Sequence, residues 1–172
     1  MKIFRDYDAW HRKTHGEPGL ALHPVPAKTL SAFAKRHDVP AAYIKLLATL
    51  GAGAIRCGDH DDYTLLRPNQ VERARRDCAS WLDDDAKARA RKNQRVDVTT
   101  MVPFLVMPDW TTWVVFAGNR VFYVCHDWEL REDVDLFAGP LTFAAFFEQF
   151  FARARKGDPL NGSYAHRFSF RR

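Results

Sequence analysis

Val39–Gly53, VPAAYIKLLATLGAG, sets a proline ahead of an apolar helical pattern and Gly-Ala-Gly behind it. Pro40 is pre-organised for a first helical turn, where its missing N–H is not needed. Tyr43, Ile44, Leu47 and Leu50 recur at helical spacing and predict one buried stripe. Gly51 stands where a left-handed C-cap belongs, and Gly53 lets the chain leave tightly. A glycine loop that cradles phosphate has the opposite order, with a strand before it and a helix after it. Here the glycines follow a helix, and the phosphate reading fails.

Downstream, Ala54–Gly58 and Tyr63–Arg67 read as short strands around the polar turn Asp59-His60-Asp61-Asp62. Pro68 and Asn69 open a helix predicted over Gln70–Leu82, with Val71, Ala74, Cys78 and Trp81 on one face. Asp83–Asp85 suit the first turn of a further helix. Its continuation, KARARKNQR, has almost no apolar face and reads as a solvated excursion. From Val96 to Trp128 the chain turns strongly β. Met101–Met107 is an apolar run broken by Pro103, which predicts an edge strand or the start of one. Thr111–Ala117 and Val121–His126 flank Gly118-Asn119 and predict a tight hairpin. Leu130–Pro140 reads as a loop with a short strand at Val134–Phe137. Leu141–Lys156 predicts a helix N-capped by Thr142, with Phe143, Phe146, Phe147, Phe150 and Phe151 on its core face and Gly157-Asp158-Pro159 ending it.

Upstream, Gly16, Pro18, Gly19, Pro24 and Pro26 mark the first two dozen residues as an irregular arm that Phe4 and Trp10 dock. A short helix over Thr29–Arg36 carries Leu30, Phe33 and Ala34, with Thr29 or Ser31 as its cap. A chain of 172 residues makes one domain that buries its own core. The expected organisation is an arm at 1–28, a domain at 29–157 with a basic helical insertion at about 70–95, and a tail at 158–172. The expected fold is α+β, a mostly antiparallel sheet flanked by helices.

Three widely separated cysteines, Cys57, Cys78 and Cys125, show no CxxC spacing and support neither a disulfide framework nor a zinc knuckle. That fits a reducing compartment. The N-terminus is too charged for a signal peptide and no apolar run approaches membrane-spanning length, so the expectation is a cytoplasmic protein with no membrane partner. A net charge of +5 and a pI near 9.3 raise nucleic acid as a partner. Acidic clusters at Asp59–Asp62 and Asp83–Asp85 interrupt the basic ones at Lys87–Arg95, Arg153–Lys156 and Arg171–Arg172, and the surplus reads as scattered.

Candidates for chemistry are few. Cys125-His126-Asp127 ends a strand, and consecutive strand residues point to opposite faces, so the thiol and imidazole do not meet. Asp59–Asp62 offers oxygen and imidazole ligands for a divalent ion, yet without EF-hand spacing or a distant partner, and a polar hairpin turn is the favoured reading. His11, His15 and His23 follow no metal-ligand pattern. Lys87, Arg89, Arg91, Lys92 and Arg95 could meet phosphates, but no aromatic residue is interleaved for stacking. No catalytic residue, metal or cofactor is expected. Trp110, Trp113 and Trp128 lie on or beside the hairpin with Tyr123 between them, and these residue types dominate interface hot spots. Alternation puts Trp113, Val115 and Ala117 on one face, and one hairpin face should pack on the phenylalanine helix. Trp110 and Trp128, at strand ends, are the better candidates for exposure.

Particular words occur in a telling order. VPAAYIKLLATLGAGAI, with Pro40, Tyr43, Leu46, Leu47 and Gly51, resembles the opening helix and turn of the SUKH superfamily, the SMI/KNR-like domain. VPFLVMPDWTTWVVF is similar to that family's strand pair, VFYVCHDWE to the strand after it, and LTFAAFFEQFF to its closing helix. The resemblance spans roughly Thr29–Gly157. It departs from the family in its Gly51-Ala52-Gly53 turn and in the long basic insertion around Arg73–Gln94. What it implies is a cytoplasmic immunity protein that neutralises a cognate nuclease- or deaminase-type toxin by stoichiometric binding, without catalysis. The alternatives are a regulatory or scaffold module of the same fold and a basic nucleic-acid-binding protein, and a homodimer is among the candidate partners. The residues offered to a partner are Asp59, His60, Asp61, Asp62, Lys87, Arg89, Arg91, Trp110, Asp127, Trp128 and Glu129.

Overall fold

The computed structural model describes residues 1–57, 60–82, 84–106, 113–125, 129–131 and 141–156. In chain order they form α1 (Lys2–His15), β1 (Leu20–His23), α2 (Ala27–Arg36), α3 (Ala41–Thr49), β2 (Ala52–Cys57) and β3 (His60–Leu65). Then come α4 (Pro68–Trp81), α5 (Asp84–Arg89), β4 (Val102–Val106), β5 (Trp113–Ala117), β6 (Arg120–Cys125), β7 (Glu129–Arg131) and α6 (Phe143–Ala154). The fold is α+β, as expected. Among the described residues one seven-stranded sheet runs in the order β1-β2-β3-β4-β5-β6-β7. Every neighbouring pair is antiparallel.

Pairing register sorts the side chains into two faces, because cross-strand partners point the same way. One row reads Leu22, Gly53, Leu65, Leu105, Val114 across β1 to β5. This face carries the aromatic core. Phe104 and Phe116 stack with ring centroids 4.1 Å apart, and Tyr43 of α3 and Phe143 of α6 close on them at 5.2 and 5.7 Å from Phe116. All five phenylalanines of α6 are buried, and the Thr142 hydroxyl accepts the Ala145 N–H as the expected N-cap. The opposite row reads Ala21, Ala54, Thr64, Val106, Trp113, Val124. Over β4–β6 it is buried too, with α4 packed on β4 and α5 on β7. Over β1–β3 it is left open: Ala21, Ala54 and Thr64 are half-buried and Asp62 is exposed.

Several expectations need correction. Residues 1–28 are not an irregular arm. Phe4, Tyr7 and His11, at helical spacing, bury one face of α1, and Gly16 caps it at φ 78°. α1 packs on α6: Tyr7 stacks on Phe151 at 4.4 Å, and Phe4 meets Phe147 at 4.7 Å. The next helix starts at Ala27 behind Pro26, so neither Thr29 nor Ser31 caps it. Of the two readings of Pro103 the strand start holds and the edge does not: it is the second residue of β4, a central strand. The β4–β5 register slips between Pro103 and Leu105, and β3 pairs only with Leu105 and Val106, so no ladder partner awaits the missing N–H. Part of Leu130–Pro140 is strand, since Leu130 pairs with Val124. The suggested strand at Val134–Phe137 and the residues after Lys156 lie outside the described residues.

The basic excursion is anchored. α5 runs into a π-helical turn, Ala90–Gln94, closed by Arg95 at φ 55°, and Ala90 and Val96 are buried at 2% and 4% exposure. Its cationic heads still face water. The hairpin came out as expected, with Ala117 opposite Arg120 and Gly118 alone taking positive φ.

Gly51-Ala52-Gly53 resolves as a helix end doing a second job. The Gly51 N–H donates to the Leu46 carbonyl (3.1 Å), and Gly51 adopts φ 100°. A Cβ on Gly51 would collide with the His23 carbonyl group and the Pro24 nitrogen; one on Gly53 would strike the Ala21 carbonyl oxygen. The two glycines are where β1 crosses against the end of α3.

Candidate partner-binding surface

The corner between α1 and β1 is built from side chains reading backbone. His11 is fully buried, and because a carbonyl only accepts, its Nδ1–H donates to the Glu17 carbonyl (2.9 Å). Gly19 lies so close to that ring that a Cβ would stand 2.7 Å from His11 Cβ. Asp8 Oδ1 accepts the Leu20 N–H (3.1 Å) and its Oδ2 accepts from Arg12 Nε (2.9 Å). The Tyr7 hydroxyl donates to the Arg56 carbonyl (2.6 Å), tying α1 to β2. These contacts hold a groove of about 340 Å³ between α1 and the outer edge of β1. Arg5, Ala9 and Arg12 wall it; Leu20, Leu22 and Leu50 floor it. The glycines and prolines of residues 16–26 mask this groove in the sequence, since they read as an irregular arm. Phe4, Tyr7 and His11 at helical spacing, followed by LALH between Gly19 and Pro24, were the available signal.

The residues singled out beforehand divide between two places. His60, Asp61 and Asp62 stand on β3 itself, not in a turn. Asp62 lies 3.8 Å from Arg56, which also meets Glu17 at 3.2 Å. Lys87, Arg89 and Arg91 belong to α5 and the π-helical turn, on the side of the sheet edge where Glu129 lies on β7. Lys87 pairs with Asp84 at 3.3 Å across one turn. β3 and β7 are four strands apart in the sheet order, about 19 Å at the usual strand spacing. The acidic and basic groups therefore form no single small patch. Asp59, Trp110, Asp127 and Trp128 lie outside the described residues, as does His126. Trp113 is core, 3% exposed.

The nucleophiles and buried titratable groups serve packing. Burial pushes the Cys57 and Cys78 thiols up to about 12. Burial likewise raises the phenols of Tyr7 and Tyr43, and the Tyr43 hydroxyl donates to the Leu66 carbonyl (3.2 Å). His37, 6% exposed, meets Glu72 at 2.9 Å and links the α2–α3 connection to α4. Asp97 is exposed but accepts the Thr99 N–H and hydroxyl at 3.0 and 2.8 Å; these bonds hold its carboxyl below the usual range, with Arg91 adding to the effect. Among the described residues no group of three or more His, Cys, Asp or Glu side chains is placed to hold a metal ion, and no helix is long and apolar enough to cross a membrane. No protein-family model, curated protein or solved structure matches the chain.

Proposed function

We propose that the chain is an immunity protein, a protein-binding module that neutralises a bacterial toxin by occupying it one-to-one. The observation that carries the binding part is the contrast between interior and rim. Cys57, Cys78, Tyr7 and Tyr43 are consumed by packing and their protons held tightly, while Asp62 on β3 and Arg89 and Arg91 on α5 and the π-helical turn are exposed and Arg56 and Lys87 half-exposed. A thiol near 12 is almost wholly protonated at neutral pH and makes a poor nucleophile. The resemblance of Val39–Gly53 and Leu141–Phe151 to SUKH words supports a toxin as the partner. The net charge of +5 argues against docking by bulk mimicry of nucleic acid and favours a toxin presenting an acidic face to Lys87–Arg95.

Co-expression of the tagged chain with the products of adjacent reading frames tests this. The expected result is one co-purifying partner at one-to-one stoichiometry that is toxic when expressed alone. Absence of such a complex, with the neighbouring product confirmed present, refutes the reading. The exposed Arg91, Lys92 and Arg95 favour nucleic acid as the second reading. Its mark is an affinity that falls steeply with salt, whereas an aromatic-anchored interface loses mainly on-rate.

A further inference from the structure

The ladder between β1 and β2 fixes which backbone groups of β1 point outward. Leu20 is opposite Ile55 and Ala21 opposite Ala54, while the Arg56 N–H donates to the Gly19 carbonyl (2.9 Å). In an antiparallel pair that alternation turns the main-chain groups of Ala21 and His23 toward β2 and those of Leu20 and Leu22 away from it. Asp8 already takes the Leu20 N–H. The Leu20 carbonyl and the Leu22 N–H and carbonyl are left on the outer edge, where β1 has no strand neighbour among the described residues. They open onto the groove beneath α1, whose floor is leucine and whose wall holds two guanidinium groups. Asp8 is spent on Leu20 and Arg12, and the Arg5 guanidinium makes no hydrogen bond or ion pair among the described residues.

We propose that this groove takes an extended segment of a partner protein as an added strand on β1, its carboxylate side chains meeting Arg5 and Arg12. An added strand supplies the three missing main-chain partners, and its alternate side chains point into the groove. The walls choose the chemistry, since carboxylates complement the unpaired Arg5 and the outer N–H groups of Arg12. A second copy of this chain is the poorer occupant: edge-to-edge pairing about a two-fold axis brings two arginine-bearing α1 walls together.

The inference rests on the protein-binding reading but not on the partner being a toxin. A library of random short peptides is displayed against the purified chain at low salt. The expected selection is alternating sequences with Asp or Glu at every second position. A synthetic peptide from that pool shifts the Leu22 amide resonance. Leu22→Pro, which deletes the outward N–H together with the leucine on the groove floor, and the exposed Arg5→Glu each weaken it at least about fivefold. Lys45→Glu, on an exposed face of α3, leaves it unchanged. No selection, selection of neutral or basic peptides, or binding indifferent to both substitutions overturns the proposal. So does a dimer that Leu22→Pro releases, which gives the groove to a second copy. A toxin complex that survives both substitutions removes the groove and leaves the toxin reading standing; acidic peptides bound by a chain that no toxin engages do the reverse.

Discussion

Gly51→Ala isolates the contact on which β1 depends. Among the described residues four glycines hold positive φ: Gly16 at 78°, Gly51 at 100°, Gly53 at 145° and Gly118 at 60°. An added methyl at Gly16 or Gly118 meets nothing within 4 Å, so those substitutions carry only the backbone term, about 1 kcal/mol. At Gly51 the same methyl runs into the His23 carbonyl and the Pro24 nitrogen, which are backbone and cannot rotate aside. Overpacking of that kind adds about 1–3 kcal/mol, giving about 3 kcal/mol in all. For a chain of this size that is a fall in Tm of about 6–12 °C, against about 2–4 °C for Gly118→Ala. Thermal unfolding of the three variants measures the difference. Amide exchange at Ala21, whose N–H belongs to the β1–β2 ladder, reports whether β1 has lifted. If Gly51→Ala melts within about 2 °C of Gly118→Ala, β1 does not lie against the end of α3 and the groove is lost with it.

Thr142→Ala removes the N-cap of α6 and is expected to cost about 1 kcal/mol in urea unfolding, while Thr142→Ser retains most of it. Cys57 and Cys78 should resist iodoacetamide at pH 8 in the folded chain and react once it is unfolded, scored by peptide mapping; labelling of either at the rate of a free thiol contradicts their burial. The Asp97 carboxyl is held down in the fold, so its contribution is present above the ordinary aspartate range, about pH 4, and disappears as pH falls through the lower folded value. Asp97→Asn should flatten that part of the acid limb of Tm against pH; an unchanged limb refutes the Thr99 hydrogen bonds as its cause.

Elements whose partners are close in sequence were legible. The β5–β6 hairpin, the capped α6 and the proline-to-glycine frame of α3 each announce themselves locally, through alternation, a Thr142 cap or a left-handed Gly51. What failed depended on distant partners. Pro103 left an edge and a strand start both open, and the choice between them, with the register slip that spares it a ladder partner, is set by β3 and β5 together. Nothing in KARARKNQR suggests that Ala90 reaches the core, because the sheet edge that receives it lies many residues away. The candidate surface was less legible still. The open edge of β1 exists only because Gly51 and Gly53 let that short strand lie flat on β2, and a sequence does not display which side of a strand stays unpaired.

The contact between α1 and α6 also sets a schedule. Phe4 and Tyr7 are made well before Phe151, which they cover and which follows nearly the whole described chain later. At about 5–20 residues per second the wait is about 8–30 s. Throughout it the apolar face of α1 has no permanent cover, while the β5–β6 hairpin can close as soon as it is made. The nascent chain thus carries an adhesive α1 until α6 arrives, an interval in which a holding chaperone would find α1 and after which it would not.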